Sequence, residues 1–225
     1  MKIHFCRLLL ATVLFSLMLT PASADDQATL FNFALELSHL KIDLNDGQQT
    51  VDTTTNYAGI TSFQLREGKL QPGISLGYTY LSTDNQAVTA GMQLEGFYIR
   101  PAIRGVVIDN PHISLTLTGS YLFQRVEDSN ANQSATLKWY QPQLDVEALW
   151  RFTQQMTLRA GGLYGRIDAD ESLSGDVNQT INLKKSSALG GYVGLEFDLG
   201  DDGQIGFLVH QGLGDGATLY FQRQF

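Results

Sequence analysis

Cysteine is nearly absent: Cys6 is the only one in 225 residues. It stands before the apolar run Leu8–Leu19, so it is not placed as a lipid-attachment cysteine. A chain with one cysteine forms no internal disulfide, and a mature chain lacking Cys6 offers no thiolate to a metal. Long apolar runs are also missing. After Leu19 nothing approaches the roughly 20 residues of a membrane helix. Basic charge is scarce, 15 Lys and Arg against 23 Asp and Glu, for a net of −8. Such an acidic chain is a poor partner for nucleic acid. There is no low-complexity segment and no linker, and about 200 residues suffice for one all-β domain.

What is present first is an export signal. Lys2 and Arg7 give a positive start, Leu8–Leu19 an apolar core and Ala22-Ser23-Ala24 a small-residue cleavage site. Residues 1–24 read as a secretory signal peptide of the Sec pathway. Removing Lys2 and Arg7 takes the charge from −8 to −10.

The rest of the chain alternates. Phe31, Phe33, Leu35 and Leu37 share one parity and Asn32, Ala34, Glu36 and Ser38 the other. A period of two means strands with one apolar and one polar face. Ten strands are predicted, over Thr29–Leu44, Asn56–Arg66, Leu70–Thr83, Val88–Val107, His112–Val126, Thr136–Phe152, Met156–Ile167, Ser187–Leu199, Gln204–Gln211 and Gly216–Phe225. Eight is the alternative count. The apolar set changes parity near His39 and again near Gly96, which predicts a bulge at each. Pro101 could break its strand in two; with no turn signal beside it, one bent strand is preferred. Connections alternate between tight turns, such as Asp109-Asn110-Pro111, and polar loops at Asn45–Thr55, Glu127–Ala135 and Asp168–Lys185.

With no membrane helix available, such a chain crosses a bilayer only as a closed barrel, which pairs every backbone group. The final strand, GATLYFQRQF, sets Ala217, Leu219, Phe221 and Phe225 against Thr218, Tyr220, Gln222 and Gln224, with Arg223 on the apolar face. It resembles the C-terminal strand of Gram-negative outer-membrane β-barrel proteins, whose terminal aromatic the barrel assembly machinery reads. Leu219, Phe221 and Phe225 are the residues to which the resemblance gives that assembly role. The fold expected is all-β: a single antiparallel up-and-down transmembrane β-barrel over residues 25–225. Tyr57, Tyr78, Tyr80, Tyr121, Tyr140 and Tyr164 would form an outer aromatic girdle. Phe31, Trp150, Phe152, Phe197 and Phe225 would form an inner one. The expected setting is the outer membrane of a Gram-negative bacterium, as a monomer among lipid and lipopolysaccharide.

Chemistry is thinly signalled. Catalytic histidines need a nucleophile or acid in reach. Of His39, His112 and His210, only His210 is placed for this, near Thr218 or Tyr220. No His-x-Ser pattern of lipid-A deacylases and no paired strand-tip aspartates of omptin proteases are found. The acids Asp168, Asp170, Glu171 and Asp176 lack the glycine and spacing of a calcium loop, so neither metal nor cofactor is expected. Lys184 and Lys185 could meet lipopolysaccharide phosphates.

The sharper signal is charge on the lumenal face: Glu36, Glu95, Arg100, Arg104, Asp145, Glu147, Arg151, Arg159, Glu196 and Asp198. Opposite charges in a narrow lumen should pair. Glu147 and Arg159 are predicted to meet across the turn at Thr153–Gln155, and Arg151 to find Glu95 or Glu196. The function expected is membrane-structural or narrow-channel, without catalysis. A surface adhesin and a lipid-modifying enzyme are the alternatives.

Overall fold

The computed structural model describes residues 30–47, 49–65, 70–84, 92–129, 132–200 and 203–225. The predicted signal, 1–24, lies outside them, as does the start of the predicted strand at Val88. The described residues form ten strands: β1 Leu30–Asn45, β2 Thr50–Leu65, β3 Leu70–Asp84, β4 Leu94–Asp109, β5 Ile113–Ser129, β6 Gln133–Arg151, β7 Met156–Gly175, β8 Gln179–Gly200, β9 Gly203–Gln211 and β10 Asp215–Gln224. Each pairs antiparallel with its chain neighbours, and β10 pairs with β1, so the ring closes. The closing ladder runs from Asn32 opposite Gln224 to Lys41 opposite Asp215. Phe31 and Phe225 exchange two backbone hydrogen bonds of 2.9 Å at its lower end. Arg223 lies over the Phe225 ring at 5.2 Å.

Strand length is the first correction. The predicted loop Asp168–Lys185 is strand almost throughout, with only residues 176–178 turning between β7 and β8. The predicted loops Asn45–Thr55 and Glu127–Ala135 are likewise mostly ladder, from Asn45 opposite Thr50 and from Ser129 opposite Ser134. Polar composition had the appearance of loop because these segments turn polar side chains outward.

The bulges predicted near His39 and Gly96 do not exist. The β1–β2 register runs unbroken from Leu30 to Asn45. Even-numbered residues of β1 face inward along its whole length: Glu36 and Ser38 below, Ile42 and Leu44 above. What changes is the solvent outside. In the lower tier lipid favours apolar residues outward and polar residues in the lumen. In the upper tier water reverses the preference, and the inward face becomes a mainly apolar core in which Thr53, Thr55, Gln124 and Glu171 are also buried. Leu44, Val51, Leu81, Leu94, Leu122, Val126, Leu137, Trp139, Ile167 and Leu183 are each 1% exposed or less there. The irregularities lie between Val106 and Ile108 against β5, at the residue that β8 inserts opposite Gly165–Ile167, and between Asp198 and Gly200 against β9. Pro101 stays within one strand opposite Ile74. The ladder to β5 skips from Ile99 to Ala102, as a residue without N–H requires.

Round the lower tier the outward side chains form an apolar belt, including Leu37, Leu76, Phe97, Ile103, Leu117, Phe123, Leu144, Val146, Val193, Phe207 and Leu219, all more than 40% exposed. A soluble barrel does not present so continuous an apolar surface; lipid is the medium that matches it. Tyr57 does not belong to the girdle. It points inward, buried, with its ring edge-on to Tyr98 at 5.4 Å.

The predicted count of ten is the one observed, and the alternative of eight is not. β9 and β10 are only 9 and 10 residues long, against 22 for β8 and 16 for β1. Above their turn, β1 meets β8 directly at Asn45–Lys184. Ten strands enclose the lower tier, and β1–β8 continue upward alone.

Candidate functional site in the barrel lumen

The lower tier encloses a cavity of about 260 Å³. Its lower part holds one network. Glu147 on β6 accepts from Arg159 Nε at 3.0 Å and Nη2 at 2.5 Å. Arg159 Nη1 reaches Glu196 Oε2 on β8 at 3.3 Å. Tyr220 O–H and Gln222 Nε2 donate to the same Glu196 oxygen at 2.8 and 3.0 Å. The Arg159 guanidinium also lies over the Tyr220 ring, 4.8 Å from its centre. On the other side the Tyr192 hydroxyl stands 2.9 Å from Glu147 Oε2 and 3.1 Å from Asp145 Oδ1. It carries one proton and so donates to one carboxylate at a time. Glu147 and Glu196 are 7% and 4% exposed. At that burial a carboxylate requires a partner, and the guanidinium supplies it to both.

The backbone makes room for these large groups. A Cβ on Gly161 would collide with the Tyr192 ring, and one on Gly206 with the Tyr220 ring. Each tyrosine therefore lies flat across the opposing glycine, which pins its hydroxyl over the acids. Tyr192, Tyr220 and Gln222 were missed as site residues, although alternation had placed them on the polar face with Glu196 and Thr218.

The remaining charged residues fall in three groups. Glu36, Arg100 and Arg104 line the cavity. Arg104 packs on the Phe63 ring at 3.8 Å. None of the three has an ion pair within 4.0 Å among the described residues. Arg151 and Asp198 share the inward parity but sit at the lower rim in water. Arg151 Nη1 donates to the Asn110 carbonyl at 2.9 Å, and Asp198 accepts from Gly200 N at 2.8 Å. Neither joins the network, so the predicted pairing of Arg151 with Glu95 or Glu196 fails. Glu95 faces outward, where the Tyr78 hydroxyl donates to it. It had been set inside because a bulge was expected at Gly96; without the bulge its parity reverses.

Of the histidines, His210 is inside. Its Nε2 lies 2.9 Å from Thr218 Oγ1, which is 2.8 Å from Ser38 Oγ. No carboxylate bonds its ring among the described residues. His39 is on the outer face, with Nδ1 2.8 Å from Asn56 Oδ1. His112 belongs to the lower turn around Asn110, whose Oδ1 accepts from its backbone N–H at 3.0 Å. The acids of the β7–β8 hairpin separate by face: Asp168 pairs with Arg166 at 2.8 Å outside, and Glu171 is buried inside. Lys185 Nζ donates to the Gly212 carbonyl at 2.9 Å.

No protein-family model matches the chain, and no curated protein matches it. Among solved structures, the outer-membrane protease OmpT of Escherichia coli aligns over 90% of this chain and 96% of its own, with TM-score 0.51 and 9% identity. The chain has the fold of an outer-membrane β-barrel. The translocator domain of the autotransporter NalP from Neisseria meningitidis aligns over 89% of this chain and 90% of its own, with TM-score 0.49 and 9% identity. The neisserial surface protein NspA aligns over 87% and 97%, with TM-score 0.47 and 11% identity. At these identities the likeness is one of fold.

Proposed function

We propose that this protein is a non-conducting, non-catalytic barrel of the Gram-negative outer membrane. Its lower tier anchors it in lipid and its upper tier displays a β-walled extension to the outside. The role is membrane-structural, with the extension as its recognition surface. The observation that carries this reading is the buried, mainly apolar core above the lumen. Charges alone leave a gated path open, but side chains such as Leu44, Leu81, Leu137 and Trp139, fully buried above the Arg159 network, fill the route that ions would take. Hydrophobic constrictions stop ions because no water enters to solvate them.

The apolar belt faces membrane lipid, and lipopolysaccharide surrounds the polar residues above it. The residue 1–24 signal directs export, and β10 with Leu219, Phe221 and Phe225 presents the segment read at assembly. His210 supports no hydrolytic reading, since its ring partner is a hydroxyl and no acid orients it among the described residues.

The test is planar-bilayer recording of the purified, refolded protein. No stable openings are expected, from the wild type or from Arg159→Ala, because the core remains above the broken network. Stable openings in the wild type would overturn the closed reading.

A further inference from the structure

The barrel wall has one weak place. The turn between the short strands β9 and β10 ends just above the apolar belt, where β1 and β8 run on without them. Its residue Leu213 is tucked inward, 4% exposed, and lines the cavity. Gly212, at φ +102°, permits the reversal that an L side chain would resist. Three things hold this turn shut: the Leu213 side chain, the Lys185–Gly212 bond of 2.9 Å and, above, the single Asn45–Lys184 bridge. Among the described residues the other neighbouring strands pair in long ladders with only local interruptions.

Behind the turn the cavity is amphiphilic. Glu36 and Arg100 line it without an ion pair to either, Arg104 is stacked lower down on the Phe63 ring, and Asp145, Glu147 and Glu196 are all engaged below. Leu208 and Leu213 supply apolar wall beside them. The whole cavity, network included, measures about 260 Å³, just under the usual range for ligand pockets, so the occupant of its upper part is small. We propose that the lumen above the Arg159 network is a binding site for a small zwitterion with an apolar substituent, of the class of a hydrophobic α-amino acid. It is loaded sideways from the outer medium past Leu213. Its carboxylate meets the Arg100 guanidinium, a planar fork suited to it; its ammonium meets Glu36; its apolar part packs on Leu208 and Leu213. A ligand with both charges satisfies both side chains, which a simple anion or cation does not.

The probe is leucine, titrated calorimetrically into the full mature protein folded in detergent, with leucinamide and 4-methylpentanoate as analogues lacking one charge each. Leucine should bind, and each analogue should bind at least tenfold more weakly. Arg100→Gln and Glu36→Gln should each weaken leucine at least tenfold while the heat-modifiable folded form persists. The route is tested by Leu40→Cys with Gly214→Cys. A Cβ on Gly214 would lie 3.6 Å from that of Leu40, within the span a disulfide bridges. Oxidation should slow leucine binding at least tenfold, and reductant should restore it. Should the double variant not fold, Leu213→Ala must instead speed association. Absence of leucine binding, or equal affinity for both analogues, overturns the ligand; an unchanged rate in the oxidised pair, or in Leu213→Ala, overturns the side route.

Discussion

Arg159 is the residue on which the lumen turns. One guanidinium bridges Glu147 and Glu196, both nearly removed from water. Removing it strands two carboxylates in a polar but narrow space, and breaking a buried pair this way costs about 3–5 kcal/mol. Arg159→Ala should therefore lower unfolding stability in urea by that order, measured in lipid vesicles. Glu147→Gln combined with Arg159→Met should recover part of the loss, because no buried charge of this pair then lacks its partner. A double-mutant cycle that shows no coupling would remove the pair from the account. This contact was legible in the sequence, since a three-residue turn at Thr153–Gln155 sets β7 beside β6 and fixes both heights. The Glu196 side of the network was not, because it depends on a third strand and on rings lying across glycines. Glu95 was misread for a different reason: its face depends on whether an extra residue is inserted at Gly96, and alternation alone does not decide that.

At the scale of the strand, one parity serves two solvents. β6 shows it within a single element. Leu137 and Trp139 point into the upper core, Glu147 points into the lumen with the same parity, and Leu144 and Val146 face lipid on the other side. The consequence of a substitution should then depend on both its face and its height. Val146→Arg, 45% exposed in the belt, should cost about 2–4 kcal/mol against lipid. Lys138→Leu, on the outer face of the upper tier, should change stability little. Leu137→Ala should cost about 2–5 kcal/mol as a core truncation. Ser114→Arg, inward and near the lower rim, should avoid the lipid penalty. Urea titration of these variants in vesicles checks the set, and equal losses at Val146 and Lys138 would refute the two-tier assignment. Alternation revealed the strands, but an apolar side chain does not say whether lipid or protein covers it. A crossing from lipid to water therefore reads as a bulge, as it did at His39.

For the whole molecule, the decisive feature is the step from ten strands to eight. Below it the ring encloses polar side chains; above it a narrower ring closes on apolar ones. The step depends on contact between Asn45 and Lys184, residues far apart in sequence and inside segments that composition presents as loops. Local pattern carries no information on such a pairing. The two tryptophans report the levels separately. Trp139 is fully buried, with Nε1 donating to Gln141 Oε1 at 3.1 Å, whereas Trp150 is 55% exposed on the belt. In vesicles, Trp150→Phe leaves Trp139, whose fluorescence should resist both acrylamide and brominated lipid chains. Trp139→Phe leaves Trp150, which brominated lipid should quench strongly. Acrylamide quenching of Trp139 approaching that of free indole would mean that water fills the upper tier. The upper core would then be lost as a barrier, and the lumenal charges would line a path instead of closing one.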